Sequence, residues 1–299
     1  MNTTVQFQTV LYHCDKEALL KSIESIANAV RVSRENDQLV SMAHLLWGDA
    51  SKEPMYTAAE IDALNRLYPG DVEIRYQFFN ENTGTSLGHN RMLTMADDPL
   101  MVVMNPDVVI NPHFFAETVP FFDDPEIGIV EAKQLPVEHH KLYDEETGET
   151  GWASMACSML RRACYEQIGG FDPDTFFMYC DDVDISWRAR LNGWKLRYSP
   201  NAFVYHAKRL SSKGKWQPTH AEMVFSVEAT LLILYKYSWN EELQEALAEY
   251  RRQPEEEVAE ALRLWERRVK ENRLPKQLDP EHRVSFWPFS GGDRSRFDM

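Results

Sequence analysis

The stretch Leu100-Met-Val-Val-Met-Asn-Pro-Asp-Val-Val-Ile110 decides the fold, because an apolar run of strand length ends on a carboxylate. An uninterrupted apolar run is typical of a central strand of a parallel sheet, which is covered on both faces. Pro106 has no amide proton and keeps Asn105 extended, so strand pairing should stop there and leave Asp107 at the carboxyl end. Ligands of open α/β sheets bind at that edge, where a carboxylate suits a divalent cation that holds phosphate oxygens. The alternative is that Asn-Pro-Asp forms only a turn.

Segments typical of strands and helices alternate along the first half of the chain. Residues 5–12, 38–46 and 72–78 are predicted strands. Helices are predicted between them, one after an N-cap at Asp15 and another at the capping box Thr57-Ala-Ala-Glu60. Regular alternation with short connections predicts an α/β fold with a mostly parallel sheet and helices on both faces.

After the Asn-Pro-Asp turn the pattern predicts a helix at 113–122 and strands at 127–132, 195–198 and 202–205. The polar residues 138–150 predict a mobile loop between two functional halves. We therefore expect one sheet domain over residues 1–219, with a nucleotide-binding half at about 1–110 and an acceptor and catalytic half at about 111–219.

Beyond residue 220 the chain becomes helical in character, which predicts a helical extension over 220–278. Val258, Leu262, Trp265 and Val269 form an apolar stripe on a highly charged helix. This stripe should pack against the sheet domain or against a second copy of the chain, so a homo-oligomer is an open prediction. An interfacial membrane helix is disfavoured by the acidic residues 255–257. The tail over 279–299 has no pattern that we can interpret.

The composition excludes several classes of function. A chain of 299 residues with 43% apolar residues can bury a large core, and a net charge of −15 argues against nucleic acid as a partner. The four cysteines have neither zinc-type spacing nor a disulfide pattern. No export signal is visible, and the longest apolar segment, 229–235, is too short to cross a bilayer. We expect a cytoplasmic protein without a transmembrane segment, with peripheral contact at the inner face of the membrane left open.

Asn82-x-Gly84 followed by Asn90 and Arg91 is the first group of residues that could carry chemistry. A glycine turn that enters a helix offers free backbone amides to phosphates, and Arg91 adds a positive charge. The alternative is a plain helix start. Asp49, after the second strand, could accept hydrogen bonds from a base or ribose, or it is only a turn aspartate.

Asp181, Asp182 and Asp184 form the second group, at the point where a helical period begins. Clustered carboxylates repel one another, so at least one should have a raised pKa unless cations or helix amides compensate. A carboxylate at a helix N-terminus beside a metal site can take a proton from an attacking hydroxyl. The alternative is N-capping by Asp181 or Asp182, with Asp184 and Arg188 as a helical ion pair.

His206 ends an apolar strand and forms the third group with the basic residues of the loop that follows it. A histidine at a strand end is usually structural. In so acidic a chain, however, this local positive charge is what a departing diphosphate would need. The basic residues are Lys208, Arg209, Lys213 and Lys215.

Together these motifs resemble family 2 glycosyltransferases, nearest to the non-processive, rhamnosyltransferase-like branch that builds bacterial surface polysaccharides. The resemblance covers about residues 5–206 and implies a GT-A fold, a nucleotide-diphosphate sugar donor, a divalent metal (Mg²⁺ or Mn²⁺) and inversion at the anomeric carbon. The motifs are Asn82-x-Gly84 with Asn90, Asn105-Pro-Asp107-Val, Gly169-Gly-Phe-Asp-Pro-Asp-Thr-Phe-Phe-Met-Tyr179, Asp182-Val-Asp184 with Arg188, and Pro200-x-Ala202-x-Val204-x-His206.

By position, the resemblance makes Asp182 the catalytic base, Asp107 the last aspartate of the metal motif and His206 a further metal ligand. Asn105 replaces the usual first aspartate, and Asp181 replaces a glutamate that usually precedes the base. The residues expected on the acceptor side are Asp181, Asp184, Trp187 and Arg188. The expected nucleotide-sugar contacts are Tyr12, Asp49, Asn82, Gly84, Asn90, Arg91, Asn105, Lys208 and Arg209.

The predicted reaction is transfer of a hexosyl group, rhamnosyl among the options, to a hydroxyl of a saccharide or lipid-linked saccharide, with Asp182 as the base. Two alternatives are weighed against it. A sugar-1-phosphate nucleotidylyltransferase would need a glycine-rich basic loop after the first strand, which Tyr12-His-Cys-Asp15 does not provide. A non-catalytic nucleotide-sugar-binding module would have lost the base, whereas Asp182 is present.

Overall fold

The computed structural model describes residues 3–137, 142–207, 209, 211–212 and 217–288. In this part of the chain, eight strands form one sheet in the order β3-β2-β1-β4-β7-β6-β8-β5. The strands are β1 Thr3–Leu11, β2 Val40–Asp49, β3 Val72–Phe78, β4 Leu100–Met104, β5 Val108–Ile110, β6 Ile127–Leu135, β7 Cys157–Arg161 and β8 Lys195–His206.

Helices cover the sheet and extend beyond it. The helices are α1 Lys16–Asn36, α2 Ala58–Leu67, α3 Gly84–Met92, α4 Phe114–Thr118, α5 Arg162–Gln167, α6 Asp181–Leu191, α7 His220–Lys236, α8 Asn240–Tyr250 and α9 Glu256–Lys270. The predicted caps are present, because Asp15 accepts the amide of Glu17 and Thr57 forms a capping box with Glu60. None of the described helices is both long and apolar enough to cross a membrane.

The first half of the stretch 100–110, strand β4, lies at the centre of the sheet, as its apolar composition predicts, whereas the last three residues form β5 at the sheet edge. All five residues of β4 are buried, and β4 pairs in parallel with β1. Strands β1, β2 and β3 are also parallel, and their last residues Leu11, Asp49 and Phe78 are in register. The four carboxyl ends therefore form one edge, which is where the sequence places the site.

The second half of the sheet is mixed, and sequence reasoning missed two of its strands. β5 is only three residues long, and β7 lies in a segment without a clear strand pattern. β7 runs antiparallel to β4 and β6, while β5 runs antiparallel to β8. Short strands are specified largely by the strands they pair with, so their own sequence carries little signal.

The C-terminal helices share a hydrophobic core with the sheet domain. Trp187 of α6 packs edge-on against Tyr237, 4.7 Å between ring centroids, and also contacts Phe286. The predicted α9 stripe packs inward at Val258 and Trp265, which are buried, whereas Val269 is 49% exposed. The stripe is thus largely covered within one copy of the chain, mainly by α7.

Candidate active site

The loops that follow β1, β2 and β3 meet at the carboxyl edge of the sheet. Ala50 donates its amide to the carbonyl of Leu11 at 2.8 Å, and Phe79 donates to that of Asp49 at 2.8 Å. Burial raises the pKa of the Cys14 thiol, and the nearby carboxylates of Asp107 and Asp49 add to the rise. The carboxylates of Asp49 and Asp107 are therefore close to the loop that follows β1. Tyr12 in that loop is 47% exposed.

Asp49 stabilises the loop after β2 at this edge of the sheet through its side-chain hydrogen bonds. Its side chain accepts the amides of Ser51 at 2.9 Å and Met55 at 2.8 Å, and the hydroxyl of Tyr76 at 2.5 Å. The residue is fully buried. Asp49 shapes the 50–56 loop, and its predicted contact with a base or ribose would have to compete with these three donors.

Asp107 and His206 come together because β5 pairs with β8. Val108 is the register partner of His206, which brings the imidazole Nε2 to 3.4 Å from Asp107 Oδ1 and 3.2 Å from Asn105 Nδ2. The other ring nitrogen, Nδ1, is 2.9 Å from Gln134 Oε1 on β6. Because an amide oxygen only accepts, Nδ1 carries the proton in the neutral ring, and Nε2 accepts from Asn105 Nδ2 beside the Asp107 carboxylate.

Asp107 and His206 fit a divalent cation that takes its remaining ligands from a diphosphate and water. Among the described residues, no three His, Cys, Asp or Glu side chains are close enough together to bind a metal with protein ligands alone. Metal-phosphate sites typically use one or two protein ligands and take the rest from phosphate and water. Asp107 is 35% exposed and His206 is buried with its second nitrogen hydrogen-bonded, as in metal-binding histidines.

Helix α3 is tied to the glycine-rich motif of the second half. Gly84 has φ +61°, and a Cβ there would lie 2.3 Å from the carbonyl oxygen of Phe177. Asn90 donates to the carbonyl of Phe171 and accepts from its amide and from the Tyr165 hydroxyl. Its amide group is thus engaged within the fold, and the predicted nucleotide contact of Asn90 would have to compete with these hydrogen bonds.

The two other residues predicted around α3 lie nearer the surface. Asn82 is exposed, and its Oδ1 accepts the Gly84 amide at 3.3 Å. Arg91 pairs with Glu81 at 2.6 Å and lies over the Phe79 ring. Both remain predicted nucleotide-sugar contacts, because neither is enclosed by the fold.

The carboxylates Asp181 and Asp182 begin α6. The residue before them, Cys180, and its neighbour Tyr179 both have left-handed backbone, with φ +52° and +66°. Such strain in non-glycine residues persists only where the surroundings hold it, and it concentrates at functional sites. The sequence predicted N-capping by one of the aspartates, but the helix begins at Asp181 and Cys180 holds the cap position.

Asp181 is anchored to α3, whereas Asp182 contacts the first turn of its own helix. The hydroxyls of Thr85, at 2.6 Å, and Ser86, at 3.3 Å, both donate to Asp181 Oδ2. Burial raises the pKa of Asp181, and these hydrogen bonds oppose the rise. Asp182 is partly exposed and accepts the Val183 amide at 2.8 Å. Asp181 is thus held by α3, and Asp182 remains the predicted base.

Asp184, Trp187 and Arg188, which the sequence predicted on the acceptor side, face largely into the fold. Asp184 is fully buried and forms the predicted helical ion pair with Arg188, 2.8 Å from Oδ2 to Nε. Trp187 is 1% exposed, and Arg188 also donates to the carbonyl of Ile168. Asp184 and Trp187 are fully buried and Arg188 is 14% exposed, so the three side chains help to hold α6 in place.

A short segment, residues 153–156, connects the Asp107 and Asp182 regions. Asn105 donates its amide to the Ala156 carbonyl at 3.0 Å, and Gln134 donates to Ser154 at 3.1 Å. Ala153 donates to the Ser186 hydroxyl, which donates to the Asp182 carbonyl at 2.6 Å. The metal-side residues and the start of α6 are therefore linked through one hydrogen-bonded segment.

Of the basic loop, only Arg209 can be placed. Arg209 is exposed and forms an ion pair with Glu222 at the start of α7. The predicted contacts Lys208, Lys213 and Lys215, like residues 138–141 of the predicted mobile loop, lie outside the described residues.

Sequence reasoning missed several residues that support this site. Gln134 and Ser186 carry no local signal, because each acts on a partner more than 30 positions away. Thr85 follows directly after Asn82-x-Gly84, so a hydroxyl at the start of α3 could have been noticed. Lys236 carries no local signal, yet this lysine is only 4% exposed.

Comparison with solved structures defines the class of protein first. The mannosyltransferase PcManGT of Pyrobaculum calidifontis, solved with GDP-Man and Mn²⁺, has a TM-score of 0.55 at 14% identity over 77% of this chain and 63% of that one. GalNAc-T7, solved with UDP, GalNAc and Mn²⁺, has a TM-score of 0.61 at 12% identity over 92% of this chain and 55% of that one. The fold is the GT-A glycosyltransferase fold, as the motifs predicted.

The family follows from the sequence match. A model described as "Glycosyltransferase like family 2" matches residues 13–147 and 145–222, and the chain belongs to this family. The N-acetylglucosaminyl-diphospho-decaprenol L-rhamnosyltransferase of Mycobacterium tuberculosis is 44% identical over 62 residues. That match spans about a fifth of each protein, 21% of this chain and 20% of the relative.

Proposed function

We propose that the chain is an inverting glycosyltransferase that moves a sugar from a nucleotide-diphosphate donor to a hydroxyl of a saccharide or lipid-linked saccharide. The observation that carries this proposal is the family match over residues 13–222, which includes both Asp107 and Asp182. The partial similarity to a rhamnosyltransferase whose name specifies a lipid diphosphate acceptor favours a lipid-linked acceptor and a hexosyl donor. Such an acceptor would require the chain to work at the inner face of a membrane.

In the proposed reaction, Asp182 accepts the proton of the acceptor hydroxyl while the oxygen attacks the anomeric carbon. The bond from that carbon to the diphosphate oxygen breaks on the opposite side, so the configuration inverts and the nucleoside diphosphate leaves. General-base catalysis by a carboxylate near a helix N-terminus suits this step. Asp107 and His206 would hold Mg²⁺ or Mn²⁺, which supplies positive charge to the departing diphosphate.

The proposal is tested by measuring acceptor-dependent release of nucleoside diphosphate from a panel of nucleotide sugars, with and without Mn²⁺ or Mg²⁺. Asp182→Asn should fold and bind donor but lose roughly 10²- to 10⁴-fold in kcat, because the base is gone. Asp107→Ala should instead lose metal-dependent donor binding, seen as a missing thermal shift with nucleotide sugar and Mn²⁺.

Matched outcomes separate the two roles. Asn at 182 retains the shape of the side chain, so an unchanged melting temperature identifies a chemical rather than a structural loss. Activity retained in Asp182→Asn would remove the base from this residue. An unchanged metal titration in Asp107→Ala would show that Asp107 is not a metal ligand. If no donor on the panel released nucleoside diphosphate, the transferase function would be contradicted.

A further inference from the structure

Lys236, at the end of α7, is a buried lysine that contacts two carboxylates of the acidic motif. Its Nζ lies 2.7 Å from Asp172 Oδ2 and 2.5 Å from Asp184 Oδ1. Its side chain is 5% exposed and lies over the Phe176 ring. Lys236 also lies outside the residues 13–222 that match the family. The C-terminal extension thus contributes a charge to a motif of the sheet domain.

The two carboxylates lie on either side of the strained turn that precedes the proposed base. Asp172 begins the turn of residues 172–176, where it also accepts from Thr175, and Asp184 is in the first turn of α6. Between them, Tyr179 and Cys180 have left-handed backbone. A single ammonium that bridges both ends can hold the intervening turn in its strained conformation.

Charge balance gives the lysine a second effect. Asp172, Asp181, Asp182 and Asp184 lie within 13 positions, so this segment concentrates negative charge that nearby cations must compensate. Lys236 compensates Asp172 and Asp184, and Arg188 also pairs with Asp184. Among the described residues, titratable groups around the first turn of α6 also include Tyr165, Tyr179, Cys180, Arg209, Glu222, Tyr237 and Tyr250.

We propose that Lys236 is a positioning residue for the glycosyl transfer, which holds the Tyr179–Cys180 turn and keeps Asp182 in place and ionised. The positioning of α6 stands on the contacts alone, while its effect on catalysis rests on the proposed function. The C-terminal extension is then part of the catalytic unit, although no residue of the extension need touch a substrate.

The test compares the pH dependence of kcat/KM for the acceptor in three variants. Lys236→Met removes a positive charge, which raises the pKa of the base, so the acidic limb of the profile should move to higher pH. Asp172→Asn removes a negative charge, so the limb should move to lower pH. A misplaced base should also reduce kcat of Lys236→Met by about 100-fold with little change in donor KM.

Glu228→Gln is the matched control. Glu228 is buried on the same helix and pairs with Arg268 at 2.8 Å, and Arg268 also donates to the Asp174 carbonyl, so this control perturbs the turn of residues 172–176 without removing the charge of Lys236. Glu228→Gln should lower the melting temperature but leave the pH limb unchanged. The proposal would be overturned if the acidic limb of the pH profile of kcat/KM were unchanged in both Lys236→Met and Asp172→Asn. If Lys236→Met does not fold, the direction in which Asp172→Asn moves the acidic limb of the pH profile tests the proposal by itself.

Hydrogen exchange separates this proposal from the proposed function. At equal loss of thermal stability, the amides of residues 177–186 should exchange faster in Lys236→Met than in Glu228→Gln. Exchange in this segment does not depend on any reaction. If the wild-type chain transfers no sugar but the segment loosens only in Lys236→Met, the transferase function fails and the positioning role stands. Equal exchange in the two variants would overturn the positioning role.

Discussion

His206 illustrates how individual residues are set by distant partners. Its Nδ1 donates to Gln134 at 2.9 Å, and Gln134 is oriented in turn by its hydrogen bond to Ser154. This chain of contacts selects the tautomer in which Nε2 can bind a cation beside Asp107. At the scale of single residues, the site therefore depends on groups that never touch a ligand.

Gln134→Leu should weaken cation binding by about 10- to 100-fold, because the imidazole loses the acceptor that fixes its tautomer and orientation. The measurement is a thermal-shift titration with Mn²⁺ in the presence of a saturating nucleoside diphosphate. Ser154→Ala is the milder control, because the histidine keeps its acceptor. An identical Mn²⁺ titration in Gln134→Leu and wild type would show that His206 is not a ligand.

At the scale of elements, the junction between α3 and the turn before α6 brings the two halves of the site together. Thr85 donates its amide to the carbonyl of Phe177 at 3.0 Å and its hydroxyl to Asp181. This close approach leaves no room for a side chain at Gly84. A glycine is needed here both for its positive φ and for the contact.

Gly84→Ala should destabilise the fold by about 1–2 kcal/mol for the left-handed backbone and about 1–3 kcal/mol more for the clash with Phe177. Gly193→Ala is the matched control, because Gly193 has φ +89° but nothing within 4 Å of its would-be Cβ. Denaturant unfolding of both variants isolates the clash as the difference between them. Equal losses would mean that the α3 junction is loose in solution.

At the scale of the whole molecule, the C-terminal extension and the sheet domain form one cooperative unit. Tyr237 is fully buried and donates to Asp184 Oδ1 at 3.0 Å, and Lys236 pairs with the same carboxylate. Trp152, Phe176 and Trp187 pack in one cluster with residues of α7, α8 and α9. The boundary predicted at residue 219 thus runs through a shared core.

A chain that ends at residue 219 should not fold cooperatively, because it would leave Asp184 buried without its lysine and expose the aromatic cluster to water. The expected signs are a weak near-UV circular dichroism spectrum, binding of a hydrophobic dye and a broad thermal transition. The full chain is the reference in each measurement. A sharp, wild-type-like transition in the shortened chain would show that the sheet domain is independent.

Part of the site was predictable because its signals are local. The apolar run that ends at Asn-Pro-Asp placed Asp107 at a strand end, and the acidic residues before a helical period placed Asp182 at the start of α6. The predicted ion pair of Asp184 with Arg188 is also local, since the two are one helical turn apart. The complete burial of Asp184 and Trp187 was not predictable, because burial depends on what packs against a helix.

The sequence by itself determined the alternation of strands and helices, the buried central strand and the family, since periodicity, caps and short motifs act between neighbouring residues. Only the tertiary structure decided that β5 pairs with β8 and so brings His206 to Asp107, and that Lys236 reaches Asp172 and Asp184. The physical reason is that strand order and helix docking follow from the burial of surfaces far apart in the chain, which no local pattern records.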